Sequence, residues 1–176
     1  MLSADDPHGG SPPVEQGRLG LGHVGAAGSA SSTPSFANPT DRQARREFRF
    51  DGAAPFVLAN AGISSSGNDG GETRLFVAGP KTAGNENGVV VLPALSISHG
   101  GTHVVGGGDS SALYFDGFNG YRFEAGNIVL GRSIELRPRG GMLTVNGVIS
   151  GAFALGKSEQ GVLWLNGANT YSGGTT

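Results

Sequence analysis

Short segments in which apolar and polar residues alternate follow one another from about residue 53 to the end of the sequence. Such alternation, bounded by Gly, Asn, Asp and Ser, is typical of β-strands that bury one face. The pattern predicts eight strands: Phe56–Leu58, Thr73–Ala78, Val89–Leu92, Leu113–Phe115, Asn127–Leu130, Ser133–Leu136, Met142–Val145 and Val162–Leu165. This part of the chain is therefore predicted to be all-β.

Asn-Gly and Asp-Gly dipeptides, which favour tight turns, recur through the same region. Seven of them begin at positions 51, 69, 87, 116, 119, 146 and 166. Apart from the pair at 116 and 119, successive dipeptides lie 18 to 29 residues apart. That spacing is longer than a hairpin meander needs and is close to one coil of a β-solenoid.

An internal repeat links the last two predicted strands. The segment Met142–Gly147 aligns with Val162–Gly167 at an offset of 20 residues, and both copies end in Asn-Gly. One strand face carries the aligned pairs Leu143/Leu163 and Val145/Leu165, and the other carries Thr144/Trp164. Twenty residues further back, only Phe123 and Ala125 match. The recurrence predicts a parallel β-helix, or β-solenoid, whose coils (called rungs below) stack in register.

The N-terminal quarter of the sequence is different, because Gly, Ser, Pro and Ala leave it without apolar periodicity. Residues 1–45 are predicted to be a disordered leader, and residues 46–176 the β-helix region. Near this boundary, Thr40 and Gln43 fit a capping box, so a short helix over Gln43–Glu47 is expected. The alternating Phe48-Arg49-Phe50 leaves a strand as the alternative. The four arginines at 42, 45, 46 and 49 are expected on a solvated surface.

Composition narrows the functional classes. The 176 residues include 33 Gly and 9 Pro, and no Cys, which excludes disulfide scaffolds, thiol catalysis and cysteine zinc sites. The formal net charge is −2, so we expect no nucleic-acid partner bound through phosphate neutralisation. No apolar run has the length of a membrane-spanning helix. The sequence shows no secretory signal and stops where a further strand is expected, which favours a segment of a longer protein.

The end of the sequence resembles a known protein family. Residues 155–176 include Leu155, Lys157, Gly161, Leu163, Leu165, Gly167, Asn169, Tyr171, Gly173 and Gly174, and they resemble the autotransporter-associated β-strand repeat. The likeness is most specific in Gly-Ala-Asn-Thr-Tyr-Ser-Gly-Gly-Thr, and with the strand before it covers about 142–176. This sequence departs from the family pattern at Trp164, where the family usually has a small or polar residue.

The resemblance implies a right-handed parallel β-helix fragment in a bacterial passenger-type surface protein. It implies a non-catalytic structural or adhesive role at the cell surface, outer membrane or outside the cell, and no cofactor. The partners it implies are other rungs of the same helix, further copies of the chain, or a host or matrix glycan or protein. Because rung stacking leaves strand edges open, we expect an isolated chain to be marginally stable and to self-associate.

Three motifs suggest other chemistry. Residues 151–158 satisfy the phosphate-loop pattern G-x-x-x-x-G-K-[ST], but the alternation that follows predicts a strand where the nucleotide site needs a helix. His99 and His103 could contact a metal ion, although the two glycines between them disfavour the helix of a zinc site. Gly106–Leu113 faintly resembles one copy of a calcium-binding nonapeptide, a fold that depends on tandem copies. A plain turn or loop is the expectation at each place.

Carbohydrate chemistry is the alternative function. No Gly-x-Ser-x-Gly motif is present, and the acids Asp109, Asp116, Glu124 and Glu135 are scattered in sequence, with no sign of the paired carboxylates of a glycosidase. Trp164 and Tyr171 could form a stacking surface for a sugar or a protein, although aromatic packing between rungs is the simpler expectation. Trp164 is thus the one candidate surface contact, within either a stalk or a carbohydrate-binding or carbohydrate-active β-helix module.

Overall fold

The computed structural model describes residues 17–27, 30–31, 33, 35–37, 43–66, 73–98 and 112–176. These residues form sixteen short strands and one 3-10 turn, Val24–Ala27. The strands are β1 Gly17–Leu21, β2 Ser35–Ala37, β3 Gln43–Arg49, β4 Phe56–Val57, β5 Ile63–Ser66, β6 Thr73–Gly79, β7 Val89–Leu92, β8 Leu95–Ile97, β9 Ala112–Gly117, β10 Arg122–Ala125, β11 Ile128–Leu130, β12 Ile134–Arg139, β13 Met142–Val145, β14 Ile149–Ser150, β15 Leu155–Lys157 and β16 Val162–Leu165.

The strands build three sheets. Sheet A has the order β1-β3-β6-β9-β12-β15, sheet B the order β2-β5-β8-β11-β14, and sheet C the order β4-β7-β10-β13-β16. From β3 onward the chain visits sheets A, C and B in turn, so each rung adds one strand to each sheet. The pairings between these strands are parallel. The all-β prediction is confirmed, and three stacked parallel sheets are consistent with the predicted β-solenoid.

The 20-residue repeat is confirmed residue by residue. Strands β13 and β16 pair so that Leu143 lies beside Leu163 and Thr144 beside Trp164. The weaker third copy is also real, because Phe123 pairs with Leu143 in the same register. Parallel pairing thus brings the residues that the sequence aligns onto neighbouring rungs.

The core lies between the three sheets and is a stack of inward side chains. In sheet C the stacked row runs Phe56, Val90, Phe123, Leu143, Leu163. The ring centroids of Phe76 and Phe115 are 5.3 Å apart, and those of Phe115 and Phe123 5.5 Å apart. Burying one such side chain contributes about 1.5–3 kcal/mol, so the core is the main source of stability.

One predicted helix is wrong. Gln43–Glu47 belongs to strand β3, which pairs with β1 on one side and β6 on the other. The alternation that runs through Phe48 and Phe50 turns both rings into the core, and sheet pairing overrides the local helix propensity. The capping residue Thr40 lies outside the described residues.

The arginines of β3 are not all on a solvated surface. Arg46 faces inward and is fully buried, and its Nη2 donates a hydrogen bond of 2.9 Å to the carbonyl oxygen of Ser35. Burial lowers the pKa of Arg46 to about 10. Strands β1 and β2 also lie within residues 1–45, the predicted leader, so in the described part of the chain strands begin at Gly17.

Candidate functional site

Four glycines of the repeat motif lie at corners of the last rung. A Cβ on Gly161 would lie 2.5 Å from carbonyl oxygens of the preceding rung, and one on Gly167 would lie 2.1 Å from another. A Cβ on Gly173 would lie 2.2 Å from backbone atoms of that rung. Gly174 has a φ of 84°, which L side chains rarely adopt. The motif therefore needs glycine at the first three positions so that neighbouring backbones can come close together, and at Gly174 for its backbone conformation.

The other motif residues also serve the stacking of rungs. Three leucines belong to the core or pack against it: Leu155, Leu163 and Leu165. Tyr171 packs against the same core, and its hydroxyl lies 2.6 Å from that of Thr175. The side-chain oxygen of Asn169 accepts a hydrogen bond of 2.8 Å from the backbone N–H of Ile149 in the preceding rung. These contacts account for the motif as a structural one.

The phosphate-loop match has no nucleotide-binding geometry. Its last residues form strand β15 and a turn, and strand β16 follows where a helix would have to begin. Lys157 is exposed, and its Nζ donates a hydrogen bond of 2.6 Å to the carbonyl oxygen of Glu159. Ser158 donates from its hydroxyl to the carboxylate of Glu135 at 2.8 Å. A carboxylate in this place would repel a phosphate group.

The outer face of sheet A carries a network of charges that the sequence analysis did not foresee. Two guanidinium nitrogens of Arg139, Nε and Nη2, each donate a hydrogen bond of 2.8 Å to one carboxylate oxygen of Asp116. Arg137 donates to Glu135 at 2.7 Å and also to the hydroxyl of Tyr114. The guanidinium carbons of Arg137 and Arg139 lie 5.2 and 4.5 Å from the centre of the Tyr114 ring. Asp116 and Tyr114 belong to β9, and the other three residues to β12.

Mutual pairing explains the pKa shifts in this network. The hydrogen bond to Asp116 raises the pKa of Arg139, against a smaller opposing effect of burial. Burial alone would lower the pKa of Arg137, but hydrogen bonds to Glu135 and Tyr114 raise it overall. Glu47 on β3 is similarly surrounded by the guanidinium groups of three arginines, namely Arg18, Arg45 and Arg49. Among these ion pairs, Arg18 with Glu47 and Arg139 with Asp116 connect neighbouring strands, whereas Arg137 pairs with Glu135 within β12.

The register of the parallel strands creates this network. Asp116 and Arg139 are 23 positions apart in sequence and become direct neighbours where β9 pairs with β12. The sequence analysis treated Asp116 and Glu135 as scattered acids. In the structure each carboxylate lies beside an arginine, which is not the acid pair that glycoside hydrolysis needs.

The outer face of sheet C is different, because it presents an exposed aromatic side chain. Trp164 on β16 is 58 % exposed, as expected for its outward position. A shallow, open groove of about 230 Å³ lies beside it and is lined by Met142, Thr144, Trp164 and Asn166. Val162, on the same strand, is 48 % exposed. Trp164 lies beside Thr144 of the preceding rung, and β16 is the terminal strand of sheet C.

A ladder of polar side chains runs across the rungs at one side of this groove. Asn166 donates from Nδ2 to Oδ1 of Asn146 at 2.9 Å, and Asn146 donates to the carboxylate of Glu124 at 3.2 Å. Each Asn belongs to an Asn-Gly corner that the sequence singled out as a turn. We call Glu124, Asn146 and Asn166 the polar ladder. It holds the Asn166 amide in one orientation at the rim of the groove.

Other candidate chemistry falls outside what can be described. His99, His103 and Gly106–Asp109 lie outside the described residues. Across residues 17–27, 30–31, 33, 35–37, 43–66, 73–98 and 112–176, no group of three or more His, Asp or Glu side chains could hold a metal ion. In that same part of the chain, no helix is long and apolar enough to cross a bilayer.

Comparison with known proteins finds no similar protein. No family model, no curated protein sequence and no solved structure matches this chain.

Proposed function

We propose that this chain is a non-catalytic structural and adhesive segment of a bacterial surface protein, built as a right-handed parallel β-helix. The observation that carries the proposal is the use of the repeat motif for stacking. Its glycines allow close approach of backbones, its leucines fill the core, and Asn169 bonds the preceding rung. A motif whose residues serve the stacking of rungs produces a long β-helix with a regular outer surface.

The charge network supports the same role. Arg139 is paired with Asp116 of the neighbouring rung, and Arg137 with Glu135 on its own strand, which favours a structural use of these charges over a catalytic one. Such partly exposed pairs contribute modestly, up to about 1 kcal/mol each, but they recur along the sheet. In this proposal the protein extends from the cell surface, and its partners are neighbouring rungs, further copies of the chain, or a glycan or protein of the surroundings.

Cell fractionation tests the proposal. An antibody raised against residues 142–176 should detect the native product in the outer-membrane or extracellular fraction of the producing cells. Protease added to intact cells should remove that signal, while a cytoplasmic marker protein stays intact as the control. A signal confined to the cytoplasm and protected from protease would overturn the proposal.

A carbohydrate-binding or carbohydrate-active module on the same scaffold is the second candidate. The observation that favours binding is the exposed Trp164 beside a groove with hydroxyl and amide groups. Catalysis would need converging acids or bases at that groove. Its lining residues Met142, Thr144, Trp164 and Asn166 have no side chain that titrates as an acid or a base near neutral pH.

A further inference from the structure

We infer that the groove beside Trp164 is a binding site for neutral carbohydrate, one pyranose ring of which stacks on the exposed indole. The inference rests on the proposed adhesive function and names the ligand class for it. We call the site, lined by Met142, Thr144, Trp164 and Asn166, the Trp164 groove.

The Trp164 groove exposes a large aromatic surface. With 58 % of its surface in solvent, Trp164 leaves much of its apolar area in contact with water. An indole has an apolar face and suits ligands that are apolar on one side and polar at their rim. The apolar face of a pyranose ring, made of C–H groups and bordered by hydroxyls, has this character.

The rim of the Trp164 groove offers hydrogen-bonding groups. A primary amide has two N–H donors and one carbonyl oxygen, and Asn166 uses one N–H in the polar ladder. The second N–H and the carbonyl oxygen, together with the Thr144 hydroxyl, can both donate to and accept from sugar hydroxyls. Because Asn146 fixes the Asn166 amide at 2.9 Å, little side-chain entropy is lost on binding.

The charge around the Trp164 groove selects the class of sugar. The residues that line the Trp164 groove have no formal charge. One rung away, β10 presents Arg122 and Glu124 on the same outer face, one cation and one anion. An acidic glycan would find no surplus of cations here, so a neutral one is the complementary ligand.

Size and shape agree with an extended ligand. A volume of about 230 Å³ is below the roughly 300–1,000 Å³ of sites that enclose a small molecule. An open groove of this size accepts one face of a ring and leaves both ends of a chain free. This geometry favours an internal unit of an oligosaccharide over a free monosaccharide.

Fluorescence provides the test, because Trp164 is the only tryptophan of the chain. The purified full chain is titrated with neutral oligosaccharides of glucose, mannose and N-acetylglucosamine, and with oligogalacturonate as the acidic comparison. At least one neutral oligosaccharide should shift the emission of Trp164 saturably, and oligogalacturonate should not. The absence of a saturable shift with every neutral sugar would overturn the inference.

Variants separate stacking from folding. Because Trp164→Ala has no tryptophan, its affinity for the sugar that binds best is measured by calorimetry. This affinity should fall roughly tenfold or more, whereas Trp164→Phe should retain most of the affinity of the unchanged chain. Asn166→Ala should weaken binding roughly fivefold, the effect of one hydrogen bond. Val129→Ala, which changes an exposed residue of sheet B, is the matched control and should bind normally. Thermal unfolding followed by circular dichroism verifies that each variant folds.

Two other outcomes identify other occupants. If the Trp164 emission shifts with protein concentration and Trp164→Ala abolishes association in the ultracentrifuge, the groove binds a second copy and the inference is wrong. Preferential binding of oligogalacturonate would also contradict it. A surface-located protein that binds no sugar would disprove the inference alone, and a cytoplasmic protein that binds sugar would disprove only the proposed function.

Discussion

The hydroxyl of Tyr121 donates a hydrogen bond of 2.7 Å to the carbonyl oxygen of Phe50, although a whole rung lies between the two residues. Gly88 belongs to the intervening rung, and a Cβ there would lie 2.2 Å from the Tyr121 ring. The missing side chain at Gly88 leaves the space through which Tyr121 reaches Phe50. Their rings also meet edge to face, with centroids 5.1 Å apart.

Tyr121→Phe should lower the free energy of unfolding by about 1–2 kcal/mol, because the Phe50 carbonyl loses its donor in a buried place. Gly88→Ala should lower the free energy of unfolding further, by about 1–3 kcal/mol or more, since the new methyl group collides with the Tyr121 ring. Urea unfolding followed by circular dichroism measures both values. A neutral Tyr121→Phe would show that the bond contributes nothing to stability.

Alkaline pH should act on the same tyrosine. Burial, and then the nearby charge of Asp51, raises the pKa of Tyr121 above its usual value near 10. The folded state therefore favours the neutral phenol, so its contribution is complete below about pH 10 and is lost as the pH rises through the raised pKa. The midpoint of unfolding is measured from below pH 10 to above the raised pKa. It should fall less steeply with rising pH for Tyr121→Phe than for the unchanged chain.

Acid should weaken a different contact. The Asp51 carboxylate accepts hydrogen bonds of 2.9 Å from the backbone N–H groups of Lys81 and Thr82. Hydrogen bonding by Thr82 first, and then by Lys81, lowers the pKa of Asp51 below its usual 3.8. The stabilisation is therefore present above about pH 4 and lost as the pH falls through the lowered pKa. Asp51→Asn should remove this part of the acid dependence in thermal unfolding between about pH 6 and pH 2.

The corner glycines offer a matched pair. A Cβ on Gly147 would lie 2.4 Å from the Asn127 side chain and 2.5 Å from its backbone nitrogen, whereas one on Gly126 would find its nearest neighbour at 3.5 Å. Gly147→Ala should therefore destabilise the chain by about 1–3 kcal/mol, and Gly126→Ala should be nearly neutral. Chemical unfolding of the two variants decides the point. Equal losses would mean that glycine flexibility, and not close approach, determines the cost.

Arg46 allows a test in the opposite direction. Its side chain is fully buried in the core, in register with Phe76, and burial lowers its pKa to about 10. Keeping a cation in such a place is costly, and replacing it by an apolar side chain of similar length is often neutral or stabilising by about 1–4 kcal/mol. Arg46→Met should unfold at an equal or higher urea concentration. A clear loss would show that its bond to the Ser35 carbonyl outweighs the cost of burial.

The sequence revealed the architecture where the rungs are regular. Thr144 and Trp164 are 20 positions apart, and so are Leu143 and Leu163, so the repeat is visible by inspection. Earlier in the chain, Leu75 and Tyr114 are also register partners, yet 39 positions separate them. Connections of variable length hide the repeat there, because nothing in local periodicity records how long a connection is.

The candidate site was predictable only in part. Outward exposure of Trp164 follows from strand alternation, but the groove depends on Met142 and Thr144 of the neighbouring rung. The pairing of Asp116 with Arg139 could not be foreseen, because it depends on which strands become neighbours and in what register. The helix predicted at Gln43–Glu47 failed for a related reason, since β1 and β6 supply hydrogen bonds that an isolated segment lacks.

The positions of the aromatic rings imply an order of assembly. The contacting rings belong to the three rungs that begin with β3, β6 and β9, whereas the later core residues Leu143, Val145, Ile149 and Leu155 are aliphatic. A parallel strand gains its hydrogen bonds only once the strand before it is in place. We therefore expect the aromatic rungs to nucleate folding and the later rungs to add one at a time, each closing a loop of only about 20 residues.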